Sequence, residues 1–177
     1  EKATGEIMAG AGIGTQGTSF QFSVKENNWL GKGIQLQSSL NLSEEQVSGD
    51  ILVVNPNYNY SGNSVTAGLD LEAQKISRDF GEIQKVSNYY ASFNLSMGSK
   101  FGVSLIMELS DDPFLVEENE TWIKYPGIIL NYQPVHSTKL SLFAGKRRGG
   151  PACNAGVCYD VLDFEGIELR ISTTFNN

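Results

Sequence analysis

From Gly166 to Phe175 the side chains take turns. Ile167, Leu169, Ile171 and Phe175 fall on one side of an extended chain, and Glu168, Arg170, Ser172 and Thr174 fall on the other. A strand with one apolar and one polar face belongs to a sheet that meets oil on one side and water on the other. A two-layer soluble sandwich satisfies that requirement in some of its strands. A transmembrane barrel imposes it on every strand, with lipid outside and a polar lumen inside.

The same stride recurs along the chain. It predicts strands over Gly5–Gly14, Ser19–Trp29, Gly33–Leu42, Val47–Asn57, Ser64–Ile76, Ile83–Met97, Phe101–Ser110, Trp122–Tyr132, Lys139–Lys146 and Phe164–Phe175. Phe20, Phe22 and Val24 oppose Gln21, Ser23 and Lys25, and Val65, Ala67, Leu69 and Leu71 oppose Thr66, Gly68, Asp70 and Glu72. Phe101 to Leu109 follows the rule apart from Ile106. Val47–Asn57 is ambiguous, because Ile51-Leu52-Val53-Val54 is apolar on both faces.

The chain has 177 residues, which predicts a single domain over 1–177. It contains no run of about 18 apolar residues, so no transmembrane helix is expected. A barrel remains compatible with the mean hydropathy of −0.21, because lumen residues dilute the average. The net charge of −7 argues against nucleic acid as a partner. The first residue is Glu1, with no leader pattern after it, so a removed signal peptide or a trimmed upstream domain is expected.

The connections carry an independent signal. With the first strand starting at the inner side, Leu30–Gly33, Tyr58–Asn63, Gly98–Lys100 and Gln133–Thr138 become short inner turns. Thr15–Thr18, Ser43–Gln46, Ser77–Glu82, Asp111–Thr121 and Arg147–Asp163 become outer loops, and the two longest fall on that side. Short turns on one side, longer loops on the other and an even strand count characterise outer-membrane barrels. Trp29, Tyr58, Tyr60, Phe101, Tyr132 and Phe175 cluster near the inner ends, and Phe20, Phe80, Trp122 and Tyr125 near the outer ends. Two such belts match the two membrane interfaces, although aromatic residues are also common in strands generally.

Cys153 and Cys158 sit close together in a Gly-rich stretch and read as a local disulfide. A metal site would need further ligands, and His136 is the only histidine. No cofactor motif is present. Gly10, Gly12 and Gly14 alternate on one face of the first segment, but no helix follows to present amides to a phosphate. They either curve a barrel corner or loosen an edge strand.

From Glu1 to about Phe80 the chain resembles the barrel start of BamA-type outer-membrane protein assembly factors. The resemblance rests on Glu1-Lys-Ala-Thr-Gly-Glu-Ile7, on Ala9-Gly-Ala-Gly-Ile-Gly-Thr15, and on Phe22-Ser-Val-Lys-Glu-Asn-Asn-Trp-Leu-Gly-Lys-Gly33. Leu40-Asn-Leu-Ser43 and Asn55-Pro-Asn-Tyr58 follow in the family's order. The resemblance implies that Glu1–Ile7 is the exit from a POTRA domain. It also implies that the first strand, at Ile7, Ala9, Gly10 and Gly12, is an edge that pairs with an incoming substrate strand. The later part, with Gly145-Lys-Arg-Arg-Gly-Gly150 and Cys153…Cys158, resembles the closing hairpins of another outer-membrane barrel family, as in a hybrid or fragment. Its last strand, with Ile171 and Phe175, resembles the closing-strand signal by which barrels reach the assembly machinery. No Arg-Gly-Phe or Arg-Gly-Tyr motif of the BamA type occurs.

Catalysis is not expected. Asp111-Asp112 resembles a paired-carboxylate site, but Asp-Asp-Pro also makes a plain turn, and His136 falls at the opposite end of the barrel. Lys25, Asp70, Glu72, Glu108, Lys139, Glu168 and Arg170 all fall on the polar face. They read as a mutually paired network filling a narrow lumen, or as the lining of a selective pore. Lys146-Arg147-Arg148 at an outer strand end suits lipopolysaccharide head groups, or a solvated loop base.

The expected fold is therefore all-β: an antiparallel up-and-down transmembrane barrel of about ten strands in the outer membrane of a Gram-negative bacterium. Its expected partners are the lipid bilayer, lipopolysaccharide, unfolded outer-membrane proteins and subunits of the assembly machine. The leading functional reading is assembly of outer-membrane proteins through the first strand. A structural or small-solute barrel is the alternative.

Overall fold

The computed structural model describes residues 4–14, 17–77, 83–112, 121–135, 137–154, 157–161 and 163–174. Its strands are β1 (Gly5–Gly14), β2 (Gly17–Trp29), β3 (Ile34–Ser43), β4 (Gln46–Tyr58), β5 (Asn63–Ser77), β6 (Ile83–Met97), β7 (Phe101–Ser110), β8 (Ile123–Val135), β9 (Thr138–Arg147), β10 (Gly150–Asn154), β11 (Val157–Val161) and β12 (Phe164–Thr173). Ten of them form one sheet in the order β1-β2-β3-β4-β5-β6-β7-β8-β9-β12, each antiparallel to its neighbour. This is the all-β, up-and-down arrangement expected from the stride. One segment departs from expectation. The Arg147–Asp163 connection, read as a loop, contains the separate two-stranded hairpin β10–β11.

Cross-strand register sorts the side chains into two faces. On one run Phe22↔Leu40, Val53↔Ala67, Phe93↔Leu105, Val103↔Leu130 and Leu142↔Leu169, all apolar. On the other run Gln21↔Asn41, Asp50↔Asp70, Thr66↔Asn94 and Ser141↔Arg170. Burial is inverted relative to a water-soluble fold. Among the described residues thirty large apolar side chains are exposed and only Val86, Tyr125 and Phe143 are buried. All three buried ones stand on the polar face, with Ser23, Asn88 and Ser110. The sheet therefore wraps around its polar face and turns its oily face outward, as a barrel with a polar lumen requires.

The register also settles Val47–Asn57. Ile51 and Val53 face outward, whereas Leu52 and Val54 pair with Gln37 and Gln35 on the lumen side. Ile106 is accommodated on the lumen face because it lies beside Gly127, where an added Cβ would sit 2.8 Å from the Ile106 Cγ1.

Tight turns gather at one end of the sheet, which is here called the short-turn end. In two of them an asparagine holds the glycine five residues on. The Gly33 N–H donates to the Asn28 Oδ1 at 2.7 Å, and the Gly62 N–H to the Asn57 Oδ1 at 3.0 Å. Gly33 and Gly62 both have φ near +70°, a conformation that glycine adopts without strain. The ladder shifts register between Glu26 and Trp29, between Asn55 and Tyr58 and between Tyr132 and Val135, so all three irregularities lie at this same end.

Aromatic pairs sit at both ends of the outward face. Phe101 stacks on Tyr132 at 4.7 Å near the short turns, and Tyr89 meets Trp122 at 5.3 Å near the long loops. Tyr125 does not belong to the outer belt as expected. It faces the lumen beside Glu108 and is 2% exposed. Phe80 and Phe175 lie outside the described residues.

Candidate functional site

Two features distinguish this sheet: a seam between its first and last strands, and a charged lumen. At the seam, β1 pairs with β2 and β12 with β9, and among the described residues no ladder joins β1 to β12. Both strands therefore present one unsatisfied row of N–H and C=O groups. Their outward side chains are the barest of the sheet: Ile13 is 90% exposed, Ile167 74% and Ile7 71%, against 37–51% for Leu105, Ile128 and Leu130. The excess measures the missing neighbour on one side.

Ile7 and Ala9 lie on the outward face of β1, opposite Val24 and Phe22. Gly10 and Gly12 lie on its lumen face, opposite Gln21 and Ser19. A Cβ at Gly10 would meet nothing within 4 Å, and one at Gly12 would lie 3.2 Å from the Ser19 Oγ. Neither glycine has a positive φ. Ile171 is on the outward face of β12, opposite Leu140. His136 lies outside the described residues. Cys153 and Cys158 are register partners in the β10–β11 hairpin, and their side chains lie outside the described set.

All seven residues predicted for the lumen are on the lumen face, but they are not paired with one another as a single network. Ser39, Asp50, Asp70, Tyr90, Glu108 and Tyr125 form one cross-strand row over β3–β8. The Ser39 hydroxyl donates to the Asp50 carboxylate. Glu72 accepts from Gln46 Nε2 at 2.6 Å and from Asn88 Nδ2 at 3.2 Å. The carboxylates of Asp50 on β4 and Glu72 on β5 are thus held by neutral donors.

Cations collect elsewhere on the lumen face. Arg147 pairs with Glu168, and Arg170 Nε donates to the same carboxylate at 2.6 Å. Arg148 Nε reaches across β8 to Glu108 Oε1 at 2.7 Å. Lys25 stands opposite Glu6 and Gln37, and Lys139 opposite Ser172, with no ion pair to either lysine among the described residues.

Arg147 and Arg148 were missed as lumen residues, because a basic run at a strand end reads as exposed. The structure turns both inward, leaving Lys146 on the outward face beside Glu165. Gly127, Gly145 and Gly166 form a row on adjacent strands, closely approached by Phe143, Ile106, the β8 backbone and Phe164. Beside that row the guanidinium lies 5.7 Å from the Phe143 ring and 5.1 Å from the Phe164 ring, within cation–π range. A Cβ at Gly145 would lie on the Pro126 carbonyl oxygen and 2.6 Å from the Gly127 Cα, and its φ is +143°. No sequence spacing announces that row before the register is known.

Asp111 is absorbed into the ladder. Its carboxylate accepts the Ser87 N–H at 2.5 Å and its own N–H donates to the Ser87 carbonyl at 3.2 Å. No group of three or more His, Cys, Asp or Glu side chains with metal-ligand geometry occurs among the described residues.

No protein-family model matches the chain. Among solved structures, it is similar to the crystal structure of BamA from Haemophilus ducreyi lacking POTRA domains 1-3, with a TM-score of 0.52 and 16% identity. The match takes in 82% of this chain and 34% of the other, so this chain spans well under two thirds of that protein's length. At that identity the likeness concerns the fold, and in its fold the chain is a BamA-like β-barrel.

Proposed function

We propose that the chain is an outer-membrane barrel, comprising 1–177 as one domain, that takes part in the insertion of outer-membrane proteins by offering β1 as a template for an incoming strand. The observation that supports this most is the unpaired row on β1, flanked by the highly exposed Ile7 and Ile13. A free strand edge recruits another strand through its unsatisfied amides and carbonyls. The outward apolar face fits a bilayer, and Lys146 at the long-loop end fits an anionic head group of lipopolysaccharide. Unfolded outer-membrane proteins and assembly-machine subunits are the protein partners of this role, which involves no catalysis. The hybrid reading, with closing hairpins of a second barrel family and a Cys153–Cys158 disulfide, belongs to the same proposal.

The test is disulfide crosslinking in cells, in a background with Cys153 and Cys158 replaced by serine. A cysteine in place of Ile7 or Ala9 is expected to trap the last strand of a nascent barrel protein. Trapping only of a cysteine placed at Leu169 or Ile171 of the same chain would overturn the assembly role. It would favour the second reading, a stand-alone barrel, which the Arg148–Glu108 and Arg147–Glu168 pairs filling one lumen wall support independently.

A further inference from the structure

At the short-turn end of the lumen, a hollow of about 250 Å³ opens between β6, β7, β8 and β9. Lys100 and Lys139 line it from different strand ends, with the hydroxyls of Ser96 and Ser104 and the amides of Asn131 and Gln133 around them. It contains no carboxylate. The Lys100 carbonyl accepts the Gln133 N–H at 2.8 Å, and the Phe101–Tyr132 stack pins the next residue on the outward face. The turn that carries Lys100 is therefore fixed against β8. Gly102 lines the hollow, and a Cβ there would meet nothing closer than 3.7 Å, so a larger side chain at this position would extend into it.

We infer that this hollow is a binding site for a phosphate group, either free inorganic phosphate or the phosphate of a small glycerol-phosphate head group. Two ammonium groups supply the charge, and hydroxyl and amide donors on neighbouring strands supply direction. A tetrahedral oxyanion presents acceptors on all sides and can use donors arriving from several strands. Lysine binds phosphate as a point charge. The volume is below the range of about 300–1,000 Å³ usual for drug-sized ligands and suits a small occupant. The larger hollow of about 540 Å³ near Gly10, Gln21, Asn41 and Gln46 contains no charged side chain and has no such preference. The net charge of −7 means that attraction here is local to the two lysines rather than a field of the whole chain. The site is independent of the assembly role, because it is read without any substrate protein.

The experiment is calorimetric titration of inorganic phosphate into the full chain, refolded in a maltoside detergent that itself contains no phosphate. Saturable binding is expected, weakening as salt is raised to about 0.15 M. Lys100→Ala/Lys139→Ala should weaken it about tenfold or more, and Gly102→Leu, which fills the hollow and leaves both charges, should do the same. Lys32→Ala, in a different short turn, should stay within about twofold of the parent. Should the double variant fail to refold, Lys139→Gln alone is expected to weaken binding about fivefold. Glycerol phosphate competing as well as inorganic phosphate would identify a head group as the source, and competition by inorganic phosphate alone the free anion. Non-saturating binding, or the same isotherm for parent and Lys100→Ala/Lys139→Ala, would overturn the site.

Discussion

Gly145 and Gly10 are both strand glycines, and the structure assigns them opposite fates on replacement by alanine. At Gly145 the new methyl would lie against the Pro126 carbonyl and 2.6 Å from the Gly127 Cα, at a φ of +143°. The neighbours are backbone atoms, so neither can rotate away as a side-chain tip could. Backbone strain of this kind costs about 1–3 kcal/mol, and overpacking costs a further 1–3 kcal/mol. A total of about 2–6 kcal/mol follows, at the high end of single-substitution effects. At Gly10 the methyl meets open space and φ is not positive, so the change is neutral or slightly stabilising through the unfolded chain. Urea unfolding of the refolded chain, followed by the fluorescence of Trp29 and Trp122, reads the difference. With a slope of about 2 kcal/mol/M, Gly145→Ala should lower the midpoint by about 1–3 M. A midpoint shift at Gly145 no larger than that at Gly10 would refute the close approach of β8 and β9.

Two further substitutions test the lumen and the outer hairpin. Arg148→Ala should destabilise by about 1–2 kcal/mol, discounted for a pair that is only partly buried, and a double-mutant cycle with Glu108→Gln should return a coupling near 1 kcal/mol. Zero coupling would place Arg148 back in solvent. The register partners Cys153 and Cys158 should resist alkylation until reduced, and losing their bridge should cost about 2 kcal/mol for so short a loop. Immediate alkylation of both thiols in protein isolated without reductant would remove the disulfide.

The stride alone located the strands well, because the outward face of each is continuous and a slip of one residue would put lysine or glutamate there. Gly5–Gly14, Ile83–Met97 and Phe101–Ser110 coincide with β1, β6 and β7. The β10–β11 hairpin was not legible, since Gly150-Pro-Ala-Cys-Asn154 has the glycine and proline of a loop and too few residues to display a period. Leu52 and Val54 were ambiguous for a different reason: an apolar residue in a lumen is fixed by its cross-strand partner, and partners are invisible until register is known. The same holds for Arg147 and Arg148. Their carboxylate partners, Glu168 and Glu108, come from β12 and β7, distant stretches of chain that only the register brings together. The seam was anticipated only through the family resemblance of the first strand, because no periodicity distinguishes an edge strand from an inner one.

The central claim is that the apolar face looks into lipid and the polar face into a lumen. Nitroxide labels placed singly along β6, β7 and β8 in lipid vesicles measure this directly, through their access to oxygen and to a water-soluble nickel chelate. Labels at Phe93, Leu95, Leu105 and Leu130 are predicted to be oxygen-accessible, and those at Asn94, Ser104 and Asn131 to be nickel-accessible, reversing at every residue. Equal nickel access on both faces, or high nickel access at Leu105, would contradict the inside-out barrel.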